Sequence, residues 1–262
     1  VLVPFDKFVT ELELLGCKVL HLKMCVKGLS PLQDLKLISR MRQVFRTEKP
    51  DAIFSYTIKN NIFGALAVRP LGIPFIPNVT GLGTAFLSGG FLQLIAECLY
   101  NLAFRKLNII FFQNEDDKKL FIKRKLITSH QAKLLPGSGI DLNHFTAKDY
   151  PIENNALTFL MISRLLGDKG IFEFIAAARK VRVNHPLVCF QLLGPVDSGN
   201  RKAIDLATVK SWETEGVIEY LGASDDVRPY IAAAHCVVLP SYREGAPRSL
   251  IEAAAMSRPL IA

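Results

Sequence analysis

The 262-residue chain is 50% hydrophobic and 21% charged, a balance that excludes disorder and fits α/β folds whose parallel strands are covered on both faces and read as continuous apolar runs. Its length suits two domains, each burying its own core. The formal net charge of +8 sits wholly in the first half, because residues 1–150 carry 20 Lys and Arg against 12 Asp and Glu while residues 151–262 carry 12 against 12. Such asymmetry suggests that the first half faces something anionic, such as a lipid headgroup, a phosphorylated acceptor or nucleic acid, or that it only confers solubility.

Apolar runs alternate with helical patterns from end to end, the pattern of parallel βα units. The chain opens at Val1 in what reads as a helix. Strands are then expected at Cys17–Leu22, Asp51–Ser55, Pro74–Val79, Asn108–Gln113 and Ala132–Leu135, separated by helices at Pro31–Lys49, Asn60–Leu71 and Phe91–Lys106. In Pro31–Lys49, Leu35, Ile38, Met41, Val44 and Phe45 make an apolar face and Lys36, Arg40, Arg42, Arg46 and Lys49 spread over the rest, so the helix suits either a core or an anionic lipid surface. Phe91 to Leu107 is the most apolar stretch, but Gln93, Glu97, Asn101, Arg105 and Lys106 interrupt it, which makes it an amphipathic helix and not a membrane span. The polar segment Thr146–Asn155, with Pro151 and two asparagines, reads as a linker between a domain at 1–150 and one at 151–262. Beyond it, strands are expected at Leu157–Ser163, Leu187–Leu193, Val217–Leu221, Cys236–Pro240 and Pro259–Ile261, with helices near Ile171–Val183, Arg201–Ser211, Asp225–Ala234 and Pro247–Met256. The last strand runs into Ala262, so the chain reads as cut at both ends.

Chemistry concentrates in the second half. The segment Pro240-Ser241-Tyr242-Arg243-Glu244-Gly245-Ala246-Pro247-Arg248-Ser249 follows an apolar strand and enters a helix, with Pro247 suited to a first turn. At a strand's carboxyl end and a helix's amino end, unpaired N–H groups and the helix dipole favour a phosphate. Glu252 lies about 7 Å into that helix among Leu250, Ile251, Ala253, Ala254, Ala255 and Met256, where a carboxylate needs a partner, and ribose hydroxyls would serve. Glu244, in the loop before the helix, is placed to accept from a sugar. Strand Leu157–Ser163 runs directly into Arg164-Leu165-Leu166-Gly167-Asp168-Lys169-Gly170, whose two cations are spaced to flank a diphosphate. The alternatives are an Arg164–Asp168 pair and a Lys169 that is surface charge.

Glu244 and Glu252 form an E-x7-E pattern, and together with Ser163-Arg164 through Lys169-Gly170 the second half resembles retaining glycosyltransferases of family 4, which have the GT-B fold. The resemblance implies that Arg164 and Lys169 bind the donor diphosphate, that Glu244 contacts the donor sugar and that Glu252 holds the ribose, with Gly245, Ala246, Pro247, Arg248 and Ser249 completing the donor site. Lys49-Pro50-Asp51, Lys59-Asn60-Asn61-Ile62-Phe63-Gly64, Asn78 through Phe86, Gln113-Asn114 and Pro136 through Asp141 resemble bacterial members that extend sugars on undecaprenyl diphosphate, which points to Lys59, Thr80 and Gly81 on the acceptor side. Many members carry a histidine where this chain has Thr80-Gly81, so no histidine role is carried over. The family's first strand with its glycine-rich loop, and the closing strands and helices of its second domain, have no counterpart here.

The expectation is therefore two Rossmann-like domains, each a mostly parallel sheet with helices on both faces, and a donor site in the cleft between them. Transfer would be of a hexose or N-acetylhexosamine from a nucleotide sugar, UDP-linked, to a lipid-diphosphate-linked saccharide, with retention. No metal and no resident cofactor is implied, the nucleotide sugar being a substrate. The protein would sit at the cytoplasmic side of the plasma membrane, held to its anionic surface by the basic first half. A nucleotide-sugar epimerase is the alternative within the same architecture. A nucleic-acid binder lacks support, because the basic residues are not interleaved with aromatics. Gly81-Leu82-Gly83 lacks the third glycine of a dinucleotide fingerprint. Cys17, Cys25, Cys98, Cys189 and Cys236 show no metal or disulfide spacing and read as structural thiols of a reducing cytosol. His21, His130, His144, His185 and His235 show no ligand spacing and read as structural or surface residues.

Overall fold

In the computed structural model the described residues are 1–4, 8–24, 30–82, 90–137, 139–152, 156–197, 200 and 202–262. Cys25, Gly83 through Phe86, Ser138, Glu153 through Asn155 and Arg201 lie outside them. Two compact units, Val1–Gly137 and Ser138–Ala262, each enclose a hydrophobic core of their own.

In the first unit the chain start is a strand and not the helix expected there. Strand β1 (Leu2–Val3) pairs in parallel with β2 (Leu20–His21), Leu2 opposite Leu20 and Val3 opposite His21. Its backbone is satisfied across strands, the Leu20 and Leu22 amides donating to the Val1 and Val3 carbonyls, while the helical period begins only at α1 (Val9–Leu14). A second sheet orders β3 (Ile53–Tyr56), β4 (Phe75–Val79), β5 (Ile110–Phe112) and β6 (Ala132–Leu134) side by side, all parallel. Helix α2 (Pro31–Glu48) starts on a proline in its first turn and ends on left-handed Lys49. Leu37, Met41 and Phe45, four residues apart, form its buried stripe, as helical geometry requires. Leu35, expected on the apolar face, is 64% exposed, because that face is rotated toward Leu37. Helices α3 (Ile58–Val68) and α4 (Gly90–Phe104) complete the cover. Helix α5 (Glu115–Lys123) is set by its cap, with the Asn114 side chain accepting from the Asp117 amide at 2.7 Å and three acidic residues in the first turn favouring the helix dipole. Its Phe121 closes an edge-to-face cluster with Tyr100 and Phe112.

The second unit alternates β7 (Thr158–Ile162), α6 (Ile171–Asn184), β8 (Cys189–Leu193), α7 (Leu206–Thr214), β9 (Glu219–Tyr220), α8 (Arg228–Ala233), β10 (Cys236–Val238), α9 (Arg248–Ala255) and β11 (Leu260–Ile261). The five strands are parallel in the order β11-β10-β7-β8-β9. Strand order reverses between β7 and β10, which makes that seam the switch point of a doubly wound sheet. Helix α7 starts later than apolar pattern suggests because Asp205 caps it, accepting from the Thr208 amide at 2.7 Å. The units part before residue 150: Phe145 joins the second core, and the buried Arg258 guanidinium donates to the carbonyls of Lys148, Asp149, Ile231 and Ala232. Among the described residues no helix is long and apolar enough to cross a membrane.

Candidate functional site

At the switch point β7 and β10 run side by side, Phe159 opposite Cys236 and Leu160 opposite Val237. Their carboxyl ends release residues 163–170 and 239–247 on the same edge of the sheet, where ligands of open α/β sheets bind. Two glycines let these loops meet. Gly170 has φ +77°, and a Cβ on it would lie 2.0 Å from the Pro240 carbonyl oxygen. Gly194, after β8, has φ +154°, and a Cβ there would lie 1.8 Å from the Ser163 carbonyl oxygen. Both positions need glycine for conformation and for space. The Tyr242 amide donates to the Asp168 carbonyl at 3.2 Å, which ties the two loops together.

The loops enclose a pocket of about 580 Å³ within the second unit, and Arg164, Lys169, Glu244, Ala246, Pro247, Arg248, Ser249 and Glu252 all line it. Residues 88 positions apart in sequence are thus brought together, and only Gly245 of the expected donor set stays off the wall. Pro247 is the residue that precedes α9, so the helix begins at Arg248; the Leu250 and Ile251 amides donate to the Pro247 carbonyl, while Arg248 and Ser249, the first two residues of the helix, lie on the pocket wall. The Lys169 ammonium meets Glu244 Oε1 at 2.5 Å, with both side chains about one-fifth exposed, and the same oxygen accepts from Ser241 Oγ at 2.7 Å. Arg164 pairs with Asp197 at 3.2 Å and not with Asp168, whose carboxylate faces Lys202 at 3.7 Å. Glu252 is held 3.4 Å from Arg248, one helical turn away, and its side chain is 12% exposed. Burial pushes the Glu252 carboxyl above the ordinary glutamate range, against the opposing pull of Arg248 and His144.

Three lining residues carry no sequence signal of their own: His144, Asp225 and Asp226. His144, read from its spacing as structural or surface, is exposed and joins the wall from the segment before β7, remote in sequence from the motif. Asp226 receives two hydrogen bonds from the Arg228 guanidinium, both 2.8 Å, which hold its carboxyl down to about 2. Among the described residues no three His, Cys, Asp or Glu side chains are grouped to hold a metal ion, and Cys17, Cys98, Cys189 and Cys236 are free thiols.

The acceptor-side candidates lie in the first unit, at the carboxyl ends of the adjacent strands β3 and β4, whose last residues pair as Tyr56 opposite Asn78. Lys59, in the first turn of α3, forms an ion pair with Asp34 at 3.1 Å with both side chains mostly buried. Thr80 and Gly81 follow β4 directly. The Asn61 amide, buried in the same helix, donates to the Asn78 carbonyl at 2.8 Å. Thr57, before α3, has φ +70°, a strained conformation of the kind that clusters at functional sites.

Two parallel α/β units, the second doubly wound with this pocket at its switch point, have the GT-B fold of glycosyltransferases. The chain belongs to the family of group 1 and 4-like glycosyltransferases: the model described as "Glycosyl transferases group 1" matches residues 156–262, and that described as "Glycosyl transferase 4-like" matches residues 4–114. It is 29% identical over 278 residues to the N,N'-diacetylbacillosaminyl-diphospho-undecaprenol alpha-1,3-N-acetylgalactosaminyltransferase of Campylobacter jejuni, an alignment covering 100% of this chain and 71% of that protein. It is 24% identical over 247 residues to the UDP-Gal:alpha-D-GlcNAc-diphosphoundecaprenol alpha-1,3-galactosyltransferase of Escherichia coli, covering 90% of this chain and 63% of that protein. Among solved structures, Anabaena HepE in complex with UDP-glucose matches with a TM-score of 0.77 at 21% identity, over 97% of this chain and 69% of that one. The sucrose-phosphate synthase of Thermosynechococcus elongatus matches with a TM-score of 0.71 at 16% identity, over 93% and 65%.

Proposed function

We propose that the protein transfers a hexose or N-acetylhexosamine from a UDP-linked donor to a lipid-diphosphate-linked saccharide, with retention at the anomeric carbon and without a metal ion or other cofactor. The observation that carries this reading is the convergence of Arg164, Lys169, the amino end of α9 and the glutamates Glu244 and Glu252 on one pocket. As the bond from the anomeric carbon to the diphosphate breaks, negative charge grows on the departing UDP, whose freed oxygen takes the proton of the acceptor hydroxyl as that hydroxyl's oxygen bonds to the carbon. Two cations and a helix amino end on the pocket wall stabilise it. Glu252 holds the ribose, Glu244 orients the sugar, and Lys59, Thr80 and Gly81 serve the acceptor. The diphospho-undecaprenol acceptors named for the Campylobacter and Escherichia relatives support the acceptor class, and the UDP-Gal donor named for the latter supports the nucleotide. The excess of basic residues before position 150 then serves an anionic membrane surface at the cytoplasmic face, and nucleic acid is not a partner.

The test incubates the protein with a panel of nucleotide sugars and a lipid-diphosphate saccharide in the presence of EDTA, and follows product and anomeric configuration by NMR. Transfer from one UDP-sugar with the donor's configuration kept is the expected result. Product of inverted configuration, activity abolished by EDTA, or interconversion of free nucleotide sugars without an acceptor would each overturn the corresponding part of the proposal.

A further inference from the structure

His144 is exposed and lines the same pocket as Glu252, anchored by Phe145, its neighbour in the chain, in the core of the second unit. The Arg228 Nη1 lies 3.4 Å from His144 Nδ1 and 3.5 Å from the His144 carbonyl oxygen, and the same guanidinium is held from its other side by Asp226. The backbone is fixed too: the His144 amide donates to the Asp141 carbonyl at 3.2 Å and to Asp141 Oδ1 at 3.4 Å. A guanidinium only donates hydrogen bonds. Nδ1 is therefore the acceptor, and the proton of the neutral ring sits on Nε2, the nitrogen farther from the anchoring backbone. Second-partner fixing of this kind selects which ring nitrogen is presented to a ligand. His144, Asp226 and Glu252 all line this one pocket.

We propose that His144 is a further nucleotide-binding residue of the pocket, its Nε2–H donating to a ribose oxygen of the bound UDP. The inference rests on reading this pocket as the donor site. A ribose held by Glu252 offers its hydroxyl protons to the carboxylate and leaves its oxygens as acceptors. His144 supplies the matching donor from the same pocket wall, and Arg228 keeps the ring turned so that the correct nitrogen carries the proton.

Calorimetric titration of the protein with UDP, and with inorganic pyrophosphate as the probe without ribose, tests this in His144→Ala, His144→Gln and His144→Asn, with Arg164→Ala and Glu252→Ala as references. A glutamine amide reaches about as far as Nε2 and an asparagine amide only about as far as Nδ1. One neutral hydrogen bond lost corresponds to about tenfold in affinity, so His144→Ala and His144→Asn are expected to bind UDP about tenfold more weakly, His144→Gln to remain within about threefold of wild type, and pyrophosphate binding to stay unchanged in all three. UDP affinity of His144→Ala within about twofold of wild type while Arg164→Ala and Glu252→Ala lose binding, or restoration by asparagine as fully as by glutamine, overturns the role of Nε2. Wild-type UDP affinity in both Arg164→Ala and Glu252→Ala overturns the donor-site reading itself, and this inference with it.

Discussion

Lys169 and Arg164 reach the pocket already partnered by Glu244 and Asp197, so a diphosphate entering it exchanges one set of anionic contacts for another. Their contribution is then to the transition state, where charge on the leaving group exceeds that of the ground state. Arg164→Ala and Lys169→Ala are each expected to lower turnover by about a hundredfold; steady-state kinetics within threefold of wild type for both would contradict the assignment. Glu252 offers a different readout. Burial raises its carboxyl pKa, so its ionised form is disfavoured in the folded protein, and acidification neutralises it before an ordinary glutamate would protonate. Nucleotide binding that uses the carboxylate as acceptor should therefore weaken as pH falls through that raised value, and Glu252→Gln, which cannot titrate, should lack this step. UDP affinities measured from neutral to mildly acidic pH check this, and identical profiles for the two proteins would refute it.

At the scale of elements, the pocket depends on loops packed closer than any side chain permits. Gly194→Ala and Gly170→Ala each place a Cβ inside a carbonyl contact and strain a left-handed backbone, at an expected cost of roughly 2–4 kcal/mol measurable by denaturant unfolding; a loss under about 0.5 kcal/mol, the range of neutral surface changes, would show that the loops yield. Helix α2 poses another question. Its buried stripe of Leu37, Met41 and Phe45 belongs to the first core, while Leu32 and Leu35 are 75% and 64% exposed beside the exposed Lys36, Arg40 and Arg46. Each basic residue near an anionic surface contributes about 1 kcal/mol, screened within a Debye length. Co-sedimentation with anionic vesicles at low salt is expected to fall when Lys36 and Arg46 are changed to glutamine. Arg40 and Arg42 are left in place because they donate to the Lys23 and Ala67 carbonyls and so support the fold. Equal binding to neutral and anionic vesicles would rule out electrostatic docking.

At the scale of the whole molecule, the two cores share no residue, and every donor-pocket residue belongs to the second unit. Calorimetric unfolding should accordingly resolve two transitions. UDP at a hundred times its dissociation constant should stabilise the second unit by about 2.7 kcal/mol and leave the other transition in place. A single transition that shifts as one body would show instead that the units unfold together.

The sequence by itself determined the βα alternation, because continuous apolar runs and amphipathic helices are local patterns that burial on both faces of a parallel sheet enforces; each strand expected from Cys17 to Ile261 has an observed counterpart within a few residues. It also carried the donor motif, because Arg164, Lys169, Glu244 and Glu252 fall in two short segments, each at a strand's carboxyl end. Only the tertiary structure decided how those segments combine. The β7–β10 neighbourhood arises from a strand order that no local pattern encodes, and the partners of the motif cations follow from it: Glu244 for Lys169, and Asp197 instead of Asp168 for Arg164. His144 was invisible for the same reason, since it shares the pocket wall with Glu252, more than a hundred residues away in sequence. The short pairing of Leu2–Val3 with Leu20–His21 escaped as well, because two residues carry no period and only a partner strand can fix their backbone.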